Sequence, residues 1–423
     1  MKITWLVAVV AALALVSGCK GSHNQNSTSM RAIQAVPDAE PLDVLVDTDV
    51  KASALTLGQT SSVSQFDSGT RDVQIRSSTS QSILSDKQIS FSSGVTSTLI
   101  VFGKRAAINT QLLVDDTTAI DSGQLRIRLV NLAGDSGPVD LYLTQAGQNI
   151  STSPVIIPST GFGSASGSVE IAPASLAVTI TSAGTQDILF TSAPQTFAAG
   201  SYVTIFVVPT LGGKLVNVSL VNQTSGGTFL QNTNARVKAV NGIIDSTNVN
   251  FRMDGSAILV NVPLGAGSSY ITTASGQHTL TVEPSTTPGS PVASLPVNLQ
   301  SARDYSALSI GTLAQAALVT FLDDNSLPAT GFCKIRFVNG LSDNNSVDVQ
   351  LNFATQVSQL PPATASTYFQ VAPSITYTIT YTTGGGVQVI GTLTPIELDT
   401  PGVYTSYVVG TANNAKILVV RER

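Results

Sequence analysis

The sequence predicts an all-β protein of four tandem immunoglobulin-like, Greek-key β-sandwich domains. Three observations predict it. First, one phrase occurs four times. Its fullest copy is Lys334-Ile335-Arg336-Phe337-Val338-Asn339-Gly340, a polar loop, then Ser346-Val347-Asp348-Val349-Gln350-Leu351. The other copies open at Arg31, Arg126 and Arg236, so the starting cations lie 95, 110 and 98 residues apart. Second, β-branched runs recur at about 8–12-residue spacing between Gly, Pro, Asn and Ser, as in sandwiches and barrels. Third, after the N-terminal segment no stretch carries the apolar period of an amphipathic helix.

Composition narrows the class. The chain has 423 residues, 42% of them hydrophobic and 11% charged, against roughly 25% charged in ordinary globular chains. Disorder needs low apolar content as well as polarity, which excludes it here. The net charge is −5, with no basic run after the first residues. Nucleic acid is therefore excluded as a partner.

The first element is an address. Met1-Lys2 is a basic start, and Ile3 to Val16 is apolar except for Thr4. That run is too short for a bilayer span of roughly 20 residues and suits a signal peptide. Val16-Ser17-Gly18-Cys19 closes it and resembles the lipobox of bacterial lipoproteins. The resemblance implies a signal peptide over 1–18, cleavage before Cys19 and lipid attachment at Cys19. Several acyl chains anchor firmly, because each buried CH₂ adds about 0.8 kcal/mol. Lys20 is not the Asp that resembles an inner-membrane retention signal, so the expected place is the outer membrane or cell surface. Lipidation of Cys19 leaves Cys333 no disulfide partner, since the chain has two Cys. Residues 19–30, with His23, read as a flexible tether.

The repeats follow in order, at 31–116, 125–223, 235–324 and 332–423. In the first, Arg31 to Val36 and Leu42 to Asp47 are strands separated by Pro37-Asp38-Ala39-Glu40-Pro41. Arg71 to Arg76 alternates, with Val73 and Ile75 on one face. Ser97 to Gly103 is a continuous apolar run, and Gln111 to Asp116 closes the unit. The same milestones recur at Leu176, Tyr202 and Leu215, at His278, Tyr305 and Leu318, and at Ile375, Tyr404 and Lys416. Units of about 95 residues are long enough to bury their own cores. With the polar links 117–124, 224–234 and 325–331, they read as four independent beads.

The opening strand, its Pro-Asp or Asn-Gly loop, the following Val-Asp, the apolar run ending in Gly and the closing Leu-x-x-Asp-Asp resemble domain-of-unknown-function family 4397. The resemblance covers most of residues 31–423. It implies tandem β-sandwiches in a bacterial secreted or surface protein, with no catalytic residues to carry over. Repeat two departs from the pattern with Pro209 in place of the Gly, and repeat three with Asn250 in place of the Asp.

Chemistry is sparse. The chain has two His, so His278 alone could serve a Ser-His-Asp or Cys-His arrangement. Its alignment with Arg71, Leu176 and Ile375 makes it a half-buried strand residue. Cys333, in a row with Met30, Leu125 and Ala235, reads as a small hydrophobe. Calcium is the one ion to weigh, at Asp135 through Asp140 and Asp343 through Asp348. These loops lack the EF-hand phrase and read as Asx turns. Asp43, Asp140 and Asp348, with Asn250, are expected to accept backbone N–H groups from the loop before them. Asp115-Asp116 and Asp323-Asp324 read as solvated strand ends rather than a glycosidase pair. The Gly-rich stretches at 161, 265 and 384 read as loops. No catalytic, cofactor or metal residue is therefore expected.

The expected function is non-enzymatic display, adhesion or structural interaction at the cell envelope. The partners are the membrane, through the lipid, and an extracellular protein or polysaccharide. The alternatives are a carbohydrate- or peptide-binding module and an enzyme with an unrecognised site.

Overall fold

The computed structural model describes residues 26–423. The leader, Cys19 and His23 lie outside the described residues. The first repeat has eight strands. They are β1 (Ser27–Ala35), β2 (Leu42–Val46), β3 (Asp49–Leu55), β4 (Ser64–Asp67), β5 (Gly69–Ser77), β6 (Ile83–Phe91), β7 (Thr96–Lys104) and β8 (Ala107–Val114). They form two sheets, ordered β4-β1-β7-β8 and β3-β2-β5-β6. β1 and β7 run parallel, and the other neighbours are antiparallel. The chain crosses between the sheets four times, so each repeat is a Greek-key sandwich. The other three repeats follow the same order. Their first strands are Leu125–Asn131, Asn234–Ile243 and Cys333–Leu341, and their seventh are Tyr202–Val208, Asp304–Gly311 and Val403–Thr411.

Three expectations need correction. The tether ends earlier than residue 30, because Ser27 to Met30 already pair with β4. Part of the second link is a strand, Gly226–Leu230, added to the edge of repeat two's inner sheet. The alignment of repeat one is also shifted by two. Arg31 pairs with Thr98, Arg128 with Thr204, Lys238 with Ser306 and Arg336 with Thr405. Each of those partners stands five residues before Gly103, Pro209, Gly311 or Gly410. Arg31 is thus the counterpart of Arg128, Lys238 and Arg336, with spacings of 97, 110 and 98. A slip of two residues keeps every side chain on its own face, so the alternation could not expose it.

The repeats are not beads. In each inner sheet the first and seventh strands are buried on both faces. Met30, Ala32, Leu99 and Val101 face the repeat's own core. Ile33, Ala35, Ile100 and Phe102 face outward, onto Val130, Leu132, Phe206 and Val208 of repeat two. Repeats three and four pack in the same way, with Val240 and Leu308 against Val338, Tyr407 and Val409. The chain is therefore two face-to-face pairs of sandwiches, and the outer sheets remain to meet solvent.

The Asn-Gly of the repeated phrase has a packing reason. A Cβ on Gly340 would stand 2.9 Å from Val409 Cγ1 and 3.1 Å from Leu308 Cδ2. One on Gly242 would meet Val409 at 3.4 Å. The glycines let the two sheets of pair three–four approach closely. The preceding Asn339 side chain, fully buried, donates to the Asn345 and Leu360 carbonyls at 2.9 and 3.0 Å and accepts from the Leu341 N–H. Gly340→Leu should lower the stability of the chain by about 1–3 kcal/mol through overpacking, read as a lower urea midpoint. Gly167→Leu is the control. With nothing within 4 Å of its added Cβ, it should stay within about 0.5 kcal/mol of wild type.

Candidate functional site

On the face turned to the neighbouring repeat, the first strand of every inner sheet carries a basic residue at one equivalent position, Arg31, Arg128, Lys238 or Arg336, and in repeats two, three and four a second one two residues earlier, Arg126, Arg236 or Lys334. Both faces of that strand are covered, so the alternation that places the cation there also buries it. Lys238 is 0% exposed, and Arg31 and Arg336 are 2% exposed. A bare charge in such a place is costly, so partners are required. They stand at the end of the eighth strand or just past it: Asp115, Asp323 and Glu422, with the neutral Gln223 in that position in repeat two.

In pair three–four both ion pairs cross the interface. Lys238 binds Glu422, and Arg336 binds Asp323. The Lys238 ammonium lies 5.5 Å from the Tyr270 ring centroid and 5.3 Å from that of Tyr407. Arg336 lies 5.0 Å from the Tyr368 ring. Cations are attracted to the faces of such rings. The Tyr270 and Ser306 hydroxyls donate to Asp323 Oδ2 at 2.5 and 2.7 Å. Burial pushes the Glu422 carboxyl upward against the pull of Lys238, and pushes the Tyr270 phenol well up. Pair one–two is sparser. Arg31 binds Asp115, while Arg128 donates to the Val114 carbonyl at 3.0 Å and the Thr204 hydroxyl at 2.9 Å. Burial raises the Asp115 carboxyl despite both arginines.

Of Asp115-Asp116 and Asp323-Asp324, only Asp324 is exposed as a solvated strand end would be; the other three are half-buried or buried. Asp323 is fully buried, because the neighbouring repeat covers the place where its strand would have met water. Asp116 accepts from the Thr118 N–H and the Ser168 hydroxyl, both at 2.9 Å. Burial pushes its carboxyl up, but those donors and Arg126 outweigh it and bring the value down to about 2. Asp324 binds Lys334 at 3.0 Å.

The recurring loop carboxylates pin β-bulges. Asp43, Asp140, Asn250 and Asp348 each accept, through Oδ1, the N–H of Ala54, Ser159, Asn261 and Gln359, at 2.9, 2.7, 2.9 and 2.6 Å. All four donors are non-glycine residues with positive φ, between 46° and 55°. The acceptor role was expected, but the donors sit on the third strand rather than in the preceding loop. The second oxygens of Asp140 and Asp348 accept from Gly184 and Gly385 at 2.8 and 2.9 Å. Asp343 accepts from the Ala412 N–H at 2.7 Å. These oxygens are turned to N–H donors rather than to a common centre. Among the described residues no three His, Cys, Asp or Glu converge as metal ligands would.

His278 sits at the entry to repeat three's fifth strand, with Nδ1 2.7 Å from Asp254 and Nε2 3.0 Å from the Ala274 carbonyl. Arg71 makes the same pair of contacts in repeat one, to Asp47 and the Asp67 carbonyl. Strand pairing makes Tyr377, not Ile375, its counterpart in repeat four. Cys333 is fully buried, and burial pushes its thiol up, the reverse of what a nucleophile needs.

Two clefts meet where the pairs join. One of about 550 Å³ lies between repeats one and two, lined by Pro37, Leu132, Phe162, Pro209, Leu327 and Pro328. Phe162 packs edge-on against Phe102, with 5.6 Å between centroids. The other, of about 320 Å³, is lined by Lys104, Asp135, Arg303 and Asp324 among others. Sequence reasoning missed both the clefts and the buried charges. A signal for the charges existed: the runs Leu99-Ile100-Val101-Phe102 and Ile205-Phe206-Val207-Val208 do not alternate, which means burial on both faces.

The family model described as Domain of unknown function (DUF4397) matches residues 28–142 and 235–350, together more than half of the chain. Each match covers one sandwich and continues into the second strand of the next. No curated protein matches the chain. A solved structure titled "Product complex of a multi-modular glycogen-degrading pneumococcal virulence factor SpuA" aligns at 9% identity over 89% of this chain and 38% of that one, with a TM-score of 0.16. That likeness carries no argument about this chain.

Two outcomes are expected. Glu422→Ala leaves the Lys238 ammonium buried without an anion and should cost about 3–5 kcal/mol. Lys238→Met with Glu422→Leu removes both charges and should recover most of that loss in urea unfolding. Asp116 has a lowered folded-state value, so its stabilisation is complete above the ordinary carboxylate range and is lost as pH falls towards about 2. Between pH 4 and pH 2 or so, wild type should therefore lose stability more steeply than Asp116→Asn.

Proposed function

Because the chain belongs to the family described as Domain of unknown function (DUF4397), we propose its role from its own residues and geometry: a lipid-anchored, non-enzymatic envelope protein serving display, adhesion or structural interaction. The observation that carries this reading is the use of the inner sheets. All four are consumed in repeat-to-repeat packing, together with their charges and most of their aromatic rings. What faces outward is the outer sheets, whose exposed positions in β6 and its counterparts mix Ser, Thr, Gln and Asn with the charged Asp86, Lys87 and Glu397 and the apolar Ile83 and Val389. Such a block suits spacing and presentation by hydrogen-bonding surfaces, with an extracellular protein or polysaccharide as partner. The Val16-Ser17-Gly18-Cys19 box supplies the anchor, and the outer membrane or cell surface is the place. A second reading, a carbohydrate- or peptide-binding module, is favoured by the cleft holding Lys104, Asp135, Arg303 and Asp324.

In a bacterium with two membranes, the wild-type chain should take up an alkyne fatty-acid probe, fractionate with the outer membrane and be cut by protease added to intact cells. Cys19→Ala should lose the label and the membrane association. Label retained on the variant would remove the anchor from the reading. Protection from protease until the outer membrane is opened would remove surface display.

A further inference from the structure

We propose that the segment 325–331 is a strap that latches the two sandwich pairs into one fixed orientation, and that repeat two is altered to receive it. The argument starts from a carboxylate that changes its partner. In repeats one, three and four, an Asp in the loop after the first strand caps that repeat's own turn between the seventh and eighth strands. Asp38 accepts from the Arg105 N–H at 2.8 Å, Asp245 from Leu313 at 2.7 Å and Asp343 from Ala412 at 2.7 Å. In repeat two the corresponding Asp135 accepts instead from the N–H of Leu327, in the link between repeats three and four, at 2.8 Å.

Asp135 is free to do so because its own turn has moved away. Where the other repeats have Gly103, Gly311 and Gly410 at the end of the seventh strand, repeat two has Pro209. Its connection to the eighth strand is the longer stretch 209–216. That loop reaches repeat three. The Gly212 carbonyl accepts the Asn325 N–H at 2.7 Å, and the Leu211 carbonyl accepts from the Arg303 guanidinium. The departure from the repeat pattern is thus the feature that touches the other pair.

The strap is held on both sides. Towards pair one–two, the Lys104 ammonium donates to the Leu327 carbonyl at 3.2 Å. Leu327 and Pro328 also lie in the cleft with Pro37, Leu132, Phe162 and Pro209. Towards pair three–four, Lys334 donates to the Ser326 hydroxyl at 3.1 Å, and Arg423 to the Asn325 carbonyl at 2.8 Å. The N–H and C=O of Leu327 are thus both taken by charged side chains of pair one–two, the arrangement of a docked peptide rather than a passive linker. Releasing Leu327 should let the pairs swing about their covalent connection, residues 231–233, while each stays folded.

The test places fluorophores at Lys87→Cys and Ser294→Cys, on the outer sheets of repeats one and three, in the full chain. Single-molecule energy transfer should give one narrow distance distribution in the otherwise unaltered chain and a broad one in Asp135→Ala with Lys104→Ala. Proteolytic cleavage within 326–331 should quicken at least tenfold, since the variant loses two charge-assisted hydrogen bonds and about tenfold is the change expected for one. Asp343→Ala, which uncaps a turn inside repeat four, should leave the distribution narrow. A narrow distribution in the double variant, or a broad one before any strap residue is changed, overturns the proposal. Should the double variant fold poorly, Lys104→Ala alone changes one exposed side chain. It should broaden the distribution at an unchanged melting temperature, and no broadening there is equally decisive against the strap.

Discussion

The structure depends on the burial of one parallel strand pair on both of its faces. In every repeat the first and seventh strands are covered by their own sandwich on one side and by a neighbouring repeat on the other. Two consequences follow. Most positions on these strands are apolar, and the buried polar ones, such as Asn241, Ser306 and Asn339, are hydrogen-bonded. Any charge on them is taken out of water and must meet an opposite charge. Arg31, Lys238 and Arg336 are such charges, as is Asp304, which is fully buried and binds Arg236.

Apolar contact alone holds two flat sheets together without fixing how they slide. Pairing Lys238 with Glu422 and Arg336 with Asp323 in both directions across one interface ties the sheets to a single register. The tyrosine rings around the cations strengthen it. Gly242 and Gly340 then set how near the sheets come. Pair one–two follows the same plan with fewer charges, since Gln223 stands where repeats one, three and four have an anion. Its apolar interface is correspondingly larger and includes Phe102 and Phe206.

The four repeats have diverged where the architecture needed them to. Asn250 retains the bulge-pinning bond made by Asp43, Asp140 and Asp348, because an amide oxygen accepts an N–H as a carboxylate does. The Pro209 loop and the reassigned Asp135 occur once, at the joint between pairs. For an anchored envelope protein of the proposed kind, a single block would hold its outer sheets at a set distance and orientation from the membrane.

The sequence by itself determined the repeat, the all-β class and the sandwich layers, because period-two alternation and turn residues are local properties of a strand. Val73 and Ile75 announced their facing in this way, and the recurring Val-Asp announced a structural carboxylate. The pairing of repeats was only half written. The unbroken run at Leu99 implied two covered faces, yet nothing local said what covered the second. The tertiary structure alone decided that Asp323 is buried rather than solvated, that Arg31 matches Arg128 rather than Arg126, and that Asp135 reaches Leu327. Each depends on which surface the fold brings up: Arg336 against Asp323, Thr98 beside Arg31, and Leu327 from 192 residues away onto Asp135. A strand's own pattern records that a face is covered, but not the identity, charge or distance of what covers it.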